Sequence, residues 1–237
     1  MAIGTPTTIG TNTLDGDAVT LTTSATVPSG ALVVVCVGWG NDVARTLSSV
    51  DGGGLTWVID HQQPFSGALE WGFAVVSAQA PAGLASSTVL STTFSGTIFG
   101  SLIAGSYTTG LDTVAPVDVH DGAGGSSDPW DTTATTTTVA DTLVIGGCFR
   151  NGANTNTPSG GATELHDFQL PVEDWAQCTE YKILSATAST SLTGTWTVAA
   201  GVPDWSAAFV AYKAASGVAT DTTTRRYQIR RSRMTSW

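Results

Sequence analysis

Lysine and arginine are what this 237-residue chain has least of: nine in all, five of them within residues 223–237. Residues 1–219 carry four basic and eighteen acidic side chains, and residues 220–237 carry five arginines with Asp221. A body this acidic repels a polyanion, which makes DNA or RNA a poor partner despite the basic end. Cysteine is almost as scarce. Cys36, Cys148 and Cys178 form an odd set without metal-ligand spacing, so a disulfide scaffold or zinc site is not expected. Cys36 ends the apolar run "ALVVVC" and Cys148 ends "LVIGGC", the setting of small buried hydrophobes. A Cys148–Cys178 bridge stays open as an alternative.

Long hydrophobic runs are missing too. No window approaches the roughly 18 apolar residues of a membrane helix, and "MAIGTPTTIGTNTLDG" lacks the basic start and apolar stretch of a secretory signal. The expectation is a soluble product of the host cytoplasm with no membrane partner. Catalytic signatures are absent as well: HExxH, GxSxG, CxxC and P-loop patterns do not occur. The histidines are His61, His120 and His166, and "DVHDG" and "LHD" place carboxylates beside them, yet neighbours on a strand point to opposite faces. Glu70, Glu164, Glu173 and Glu180 lie near tryptophans and invite comparison with a glycosidase acid pair, but solvated carboxylates explain them more simply. The oxygen-rich loops "LDGD" and "DGAGGSSDPWD" read as turns rather than calcium sites. Neither enzyme activity, nor a cofactor, nor a metal is expected.

What is present is Thr, Ser, Ala, Val and Gly, the residues of pleated surfaces and tight turns. "AVTLTTSATV" alternates at period two, the pattern of a strand with one wet face. "ALVVVCVGW" and "TLVIGG" are continuous apolar runs that suit strands covered on both sides. Turn signals such as Pro28-Ser29-Gly30, Asp51-Gly52-Gly53-Gly54 and Pro158-Ser159-Gly160-Gly161 separate them. The predicted fold is all-β, a jelly-roll-like antiparallel sandwich with an extended C-terminal arm.

The chain also repeats itself. "TTSATVPSGALVVVC", "GGGLTW", "WGFAVVSAQA", "STVLSTTFS" and "GSLIAGSYTTG" return in the same order as "TTTTVADTLVIGGC", "GGATEL", "WAQCTEYKILSATA", "SLTGTWTV" and "WSAAFVAYKAA", which sets Cys36 beside Cys148, Trp71 beside Trp175 and Tyr107 beside Tyr212. The expected organisation is an N-terminal segment over 1–16, a sandwich over 17–215 with pseudo-repeats at 17–110 and 131–215, and a basic arm over 216–237. One large sandwich is favoured over two, with the intervening "LDTVAPVDVHDGAGGSSDPWD" as a long surface loop.

Two binding surfaces are candidates. Of the body's tryptophans, Trp57 and Trp130 sit beside turn-rich stretches and are the ones expected to face a ligand, a host surface glycan by their chemistry. In the arm, Arg225, Arg226, Tyr227, Ile229, Arg230, Arg231, Arg233 and Trp237 interleave guanidinium and apolar groups, a pattern that suits docking on a neighbouring subunit through Arg–carboxylate pairs.

The order "TLV", "GG-T", "W…A…A" and "AAFVAYKAA" resembles the Thr/Gly-rich β-sandwich domains of tailed-bacteriophage structural proteins, of minor tail or capsid decoration type, and of bacterial surface modules. The resemblance spans about residues 17–215 and transfers no catalytic residue. It implies a homo-oligomeric virion component with other virion proteins, tail or capsid subunits, as partners; a carbohydrate-binding or adhesin module is the alternative from another class.

Overall fold

A computed structural model describes residues 2–67, 70–152, 155–170, 174–197 and 204–216. The described residues form strands and no helix. The first half of the chain runs through β1 (Thr7–Asp15), β2 (Thr20–Thr22), β3 (Ala31–Asn41), β4 (Leu47–Gly52), β5 (Val58–Ser66), β6 (Glu70–Ala80), β7 (Val89–Phe94) and β8 (Gly100–Thr108). The second runs through β9 (Val117–Gly125), β10 (Trp130–Asp131), β11 (Thr135–Thr136), β12 (Thr142–Asn151), β13 (Asn156–Pro158), β14 (Thr163–Leu170), β15 (Trp175–Leu184), β16 (Ser189–Thr190), β17 (Thr193–Trp196) and β18 (Trp205–Lys213).

Among the described residues every pairing is antiparallel, and each half builds one large sheet, in the orders β1-β8-β3-β6-β5 and β9-β18-β12-β15-β14. Taken in chain order, the two sequences of neighbours coincide strand for strand. Smaller sheets, β2-β7-β4 in the first half and β10-β17-β13 with β11-β16 in the second, cover the outer faces.

Three cores fill the spaces between. Ile9, Val33, Val35, Val37, Trp39 and Leu90 lie between the first large sheet and its small partner. Leu32, Val34, Trp71, Phe73, Phe149, Trp175 and Tyr212 lie between the two large sheets. Trp130, Val144, Cys148, Leu192 and Phe209 fill the outer space of the second half. The layers therefore number four, two sandwiches back to back, where sequence reading favoured one. This is why β3 is apolar at nearly every position: Val33, Val35 and Val37 enter the outer core while Leu32, Val34 and Cys36 enter the inner one. At about 1.5–3 kcal/mol for each large aliphatic or aromatic side chain fully buried, such strands supply much of the driving force.

Several sequence-based boundaries shift. Residues 1–16 are not a separate segment, since β1 is the edge strand of the first large sheet and pairs with β8 from Thr7↔Tyr107 to Asp15↔Gly100. The expected loop between the halves contains β9, which pairs with β18. Its glycines read as turn residues, yet a Cβ on Gly124 would stand 2.5 Å from the Phe65 ring, so their function is to let β5 settle on β9. Trp71 and Trp175 both enter the inner core, as their alignment implies. Cys36 and Cys148 enter different cores, as do Tyr107 and Tyr212, because an offset of one residue moves a side chain to the other face of a sheet.

Candidate functional site

A recess opens where the halves meet. Leu55 and Thr56 from the β4–β5 turn, Val58 and Asp60 from β5, Ser77 and Gln79 from β6, and residues 113–117 of the inter-half connection enclose a cavity of about 570 Å³. That size and its apolar walls with a few convergent polar groups are those of an ordinary ligand site.

Asp60 sits at a register break in β5 between Ile59 and His61. Ile59 packs against the outer core, so alternation turns Asp60 toward the inner one, where the Tyr212 hydroxyl donates to Asp60 Oδ2 at 2.6 Å, and the bulge brings His61 to that same face opposite Val75. Burial pushes the Asp60 carboxyl up; hydrogen bonds from Ser77 and Tyr212, and the charge of His120, pull it partly back. Tyr212 is wholly buried and is pushed well above the usual phenol value, by burial first and by Asp60 second.

Next along the same seam, the rings of His61 and His120 lie 4.7 Å apart at 30°. Burial lowers the His61 pKa, and the charge of His120 lowers it further, against Asp121 and Gln63. The seam therefore holds a shielded carboxylate, a phenol and two stacked imidazoles beside an apolar hollow. Chemically it can accept a hydrogen bond or hold a cation at Asp60 while packing an apolar group against the walls. Among the described residues no group of three His, Cys, Asp or Glu is placed to hold a metal.

The residues singled out from sequence fare differently. Trp130 is not ligand-facing: it has no exposed surface, fills the outer core of the second half, and donates from Nε1 to Asn156 Oδ1 at 3.0 Å. The turn residues around it suggested exposure, but pairing of β10 with β17 turns the indole inward. Trp130→Phe is expected to cost about 1–3 kcal/mol in urea denaturation, because it leaves the buried Asn156 carbonyl unpaired. Trp57 is half-buried against the outer core of the first half, with Nε1 donating to the Gly52 carbonyl at 3.1 Å. Arg225, Arg226, Tyr227, Ile229, Arg230, Arg231, Arg233 and Trp237 lie outside the described residues.

Glu164 and Glu180 are direct register partners on β14 and β15, but Glu180 is sealed, with no exposed surface, while Glu164 faces solvent. Cys148 and Cys178 also oppose each other in register and are free, buried thiols. His166 is held down to about 4 by burial, its Nδ1 2.7 Å from the Thr179 hydroxyl.

Sequence reasoning missed Asp60, Ser77 and Tyr212, and treated His61 and His120 as unrelated. The one signal available was the polar make-up of "VIDHQQPFS", which has few of the apolar residues that a strand at the heart of the molecule would show. Comparison with known proteins returns no matching family model, no matching curated protein and no matching solved structure.

Proposed function

We propose that the chain is a structural component of a tailed-phage virion, a minor tail protein that displays the stacked sheets and is held to neighbouring subunits by its arginine-rich end. A capsid decoration protein is the alternative within the same class. The observation that supports an assembly role is the segregation of charge. Asp15, Asp17, Asp42, Asp51, Asp128, Asp131, Asp141 and Glu164 are exposed on the body. Of the body's four cations, Arg150 is 1% exposed, Lys182 Nζ donates to the Ser191 carbonyl, and Arg45 Nε donates to the Thr97 carbonyl. An acidic surface with its own cations buried or half-buried, joined to a basic segment of opposite sign, is complementary to further copies of itself. The phage setting rests on the resemblance of the Thr/Gly-rich strand order. The glycan-binding reading is weakened, because Trp130 is enclosed and Trp57 is half-buried.

Replacing all five arm arginines by glutamate is expected to leave the far-UV circular dichroism of the body unchanged and to abolish both self-association and incorporation into particles. Incorporation at the wild-type level would remove the arm from the proposal. Electron microscopy of wild-type particles, with density on the tail or on the shell, separates the two virion readings.

A further inference from the structure

The mouth of the cavity beside Asp60 is unusually apolar for open surface. Val114 is 91% exposed and Val58 55%, and Pro81 and Ala115 are exposed on the same rim. Exposed apolar ground around a recess marks an interaction site more often than scattered surface valines do. One carboxylate lines it and a second directly precedes its Thr113–Val117 wall. Asp60 lines the cavity and accepts from Tyr212, and a carboxylate with about four lone-pair sites has capacity left for a further donor. Asp112, at the start of the same wall, accepts through Oδ1 from the Val114 and Ala115 N–H groups at 2.8 and 3.2 Å. Those two bonds shape the turn that presents Val114, and they hold the Asp112 carboxyl below its usual value, so it is ionised at neutral pH.

The site therefore asks for apolar side chains with guanidinium or ammonium groups on either side. The chain contains such a sequence. Written as an extended segment, Arg225, Tyr227, Ile229, Arg231 and Arg233 share one face, with two apolar residues between arginines. The body also delivers its end to this region: the Ala215 N–H donates to the Gly110 carbonyl at 2.8 Å and the Asp112 N–H to the Lys213 carbonyl at 2.9 Å.

We propose that this cavity is the receptor for residues 223–237 of a second copy of the chain, with Tyr227 and Ile229 in the apolar mouth and flanking arginines paired with Asp60 and Asp112. The inference rests on the assembly reading above and names its docking site. Apolar contact supplies burial and the paired charges fix register, the division of labour seen when extended segments dock.

The test is sedimentation velocity on full-length protein over a concentration series, with a synthetic peptide of residues 223–237 as competitor. Wild type is expected to self-associate reversibly, more weakly in high salt, and to be dissociated by the peptide. Asp60→Asn keeps an acceptor for Tyr212, and Val114→Lys alters a side chain that supports no core; each is expected to weaken association at least about tenfold. Val89→Lys, at an exposed position on β7 away from the cavity, is expected to change nothing. If the five-arginine variant loses association while Asp60→Asn and Val114→Lys keep it, the arm docks elsewhere and this inference falls while the assembly reading stands. If the five-arginine variant associates like wild type, the assembly reading itself fails. A wild-type chain that stays monomeric at every concentration overturns docking on a second copy.

Discussion

Trp71→Ala is expected to lower the free energy of unfolding by about 3–5 kcal/mol, the loss of a large buried aromatic plus the cavity left behind. Trp71 is 2% exposed and sits between the two large sheets. Its ring centroid lies 5.3 Å from that of Trp175 at 84° and 5.6 Å from that of Phe149 at 50°, and Phe149 and Trp175 stand 5.6 Å apart at 82°. These tilted and edge-on geometries are the favourable ones, each worth about 0.5–1.5 kcal/mol beyond burial. Trp71 comes from the first half and its partners from the second, so the triad is a joint between sandwiches as well as core. Urea denaturation followed by circular dichroism gives the measurement, and Trp71→Phe, which keeps a ring, is expected to lose less than half as much. A loss under about 1 kcal/mol for Trp71→Ala would show that the joint repacks and that the halves do not depend on it.

The second large effect is a pH dependence that Glu180→Gln removes. Glu180 has no exposed surface, and burial raises its carboxyl from 4.5 to about 8, with Lys182 opposing and Glu164 adding to the rise. A raised carboxyl means that the folded state binds the proton more tightly than the unfolded chain. Its contribution is therefore complete below pH 4.5 and is lost as pH rises to about 8. Over that window the loss is on the order of 5 kcal/mol. The amide cannot ionise, so the variant is expected to match wild type near pH 4.5 and to exceed it by several kcal/mol at pH 8. His166 titrates in the opposite sense: held down to about 4 by burial, it favours the folded state increasingly as pH rises from 4 to 6.5. Because His166 is common to both proteins, the difference between their stability curves isolates Glu180. A constant difference from pH 5 to pH 8 would mean that water reaches the carboxylate.

The two carboxylates and the histidines show where reading a sequence succeeds and stops. Glu164 and Glu180 could be singled out only for lying near tryptophans, and both read as solvated. That one is sealed and the other wet depends on β17 and its neighbours packing over β15. Trp130 failed for a related reason: "SSDPWD" has the composition of an exposed turn, and only its pairing with β17 turns the indole inward. His61 and His120 stand 59 positions apart in the chain, on the edge strands of different sheets, and no local pattern records that those edges stack. The bulge was illegible as well: regular alternation after Ile59 puts Asp60 on the inner face but would have turned His61 to the outer one.

The sequence by itself determined the all-β class, the doubly covered strands, the turns and the opposition of charge between body and arm, because each follows from composition and short-range periodicity. Tertiary structure alone decided that the layers number four, that β1 and β9 complete the large sheets, that Cys36 and Cys148 enter different cores, and that Asp60, Tyr212, His61 and His120 meet at one seam. The physical reason is that side-chain alternation says which residues share a face of a strand but not which other face covers it. That choice is made by the packing of whole sheets, where a close approach such as Phe65 over Gly124 selects one stacking among those the strand pattern allows.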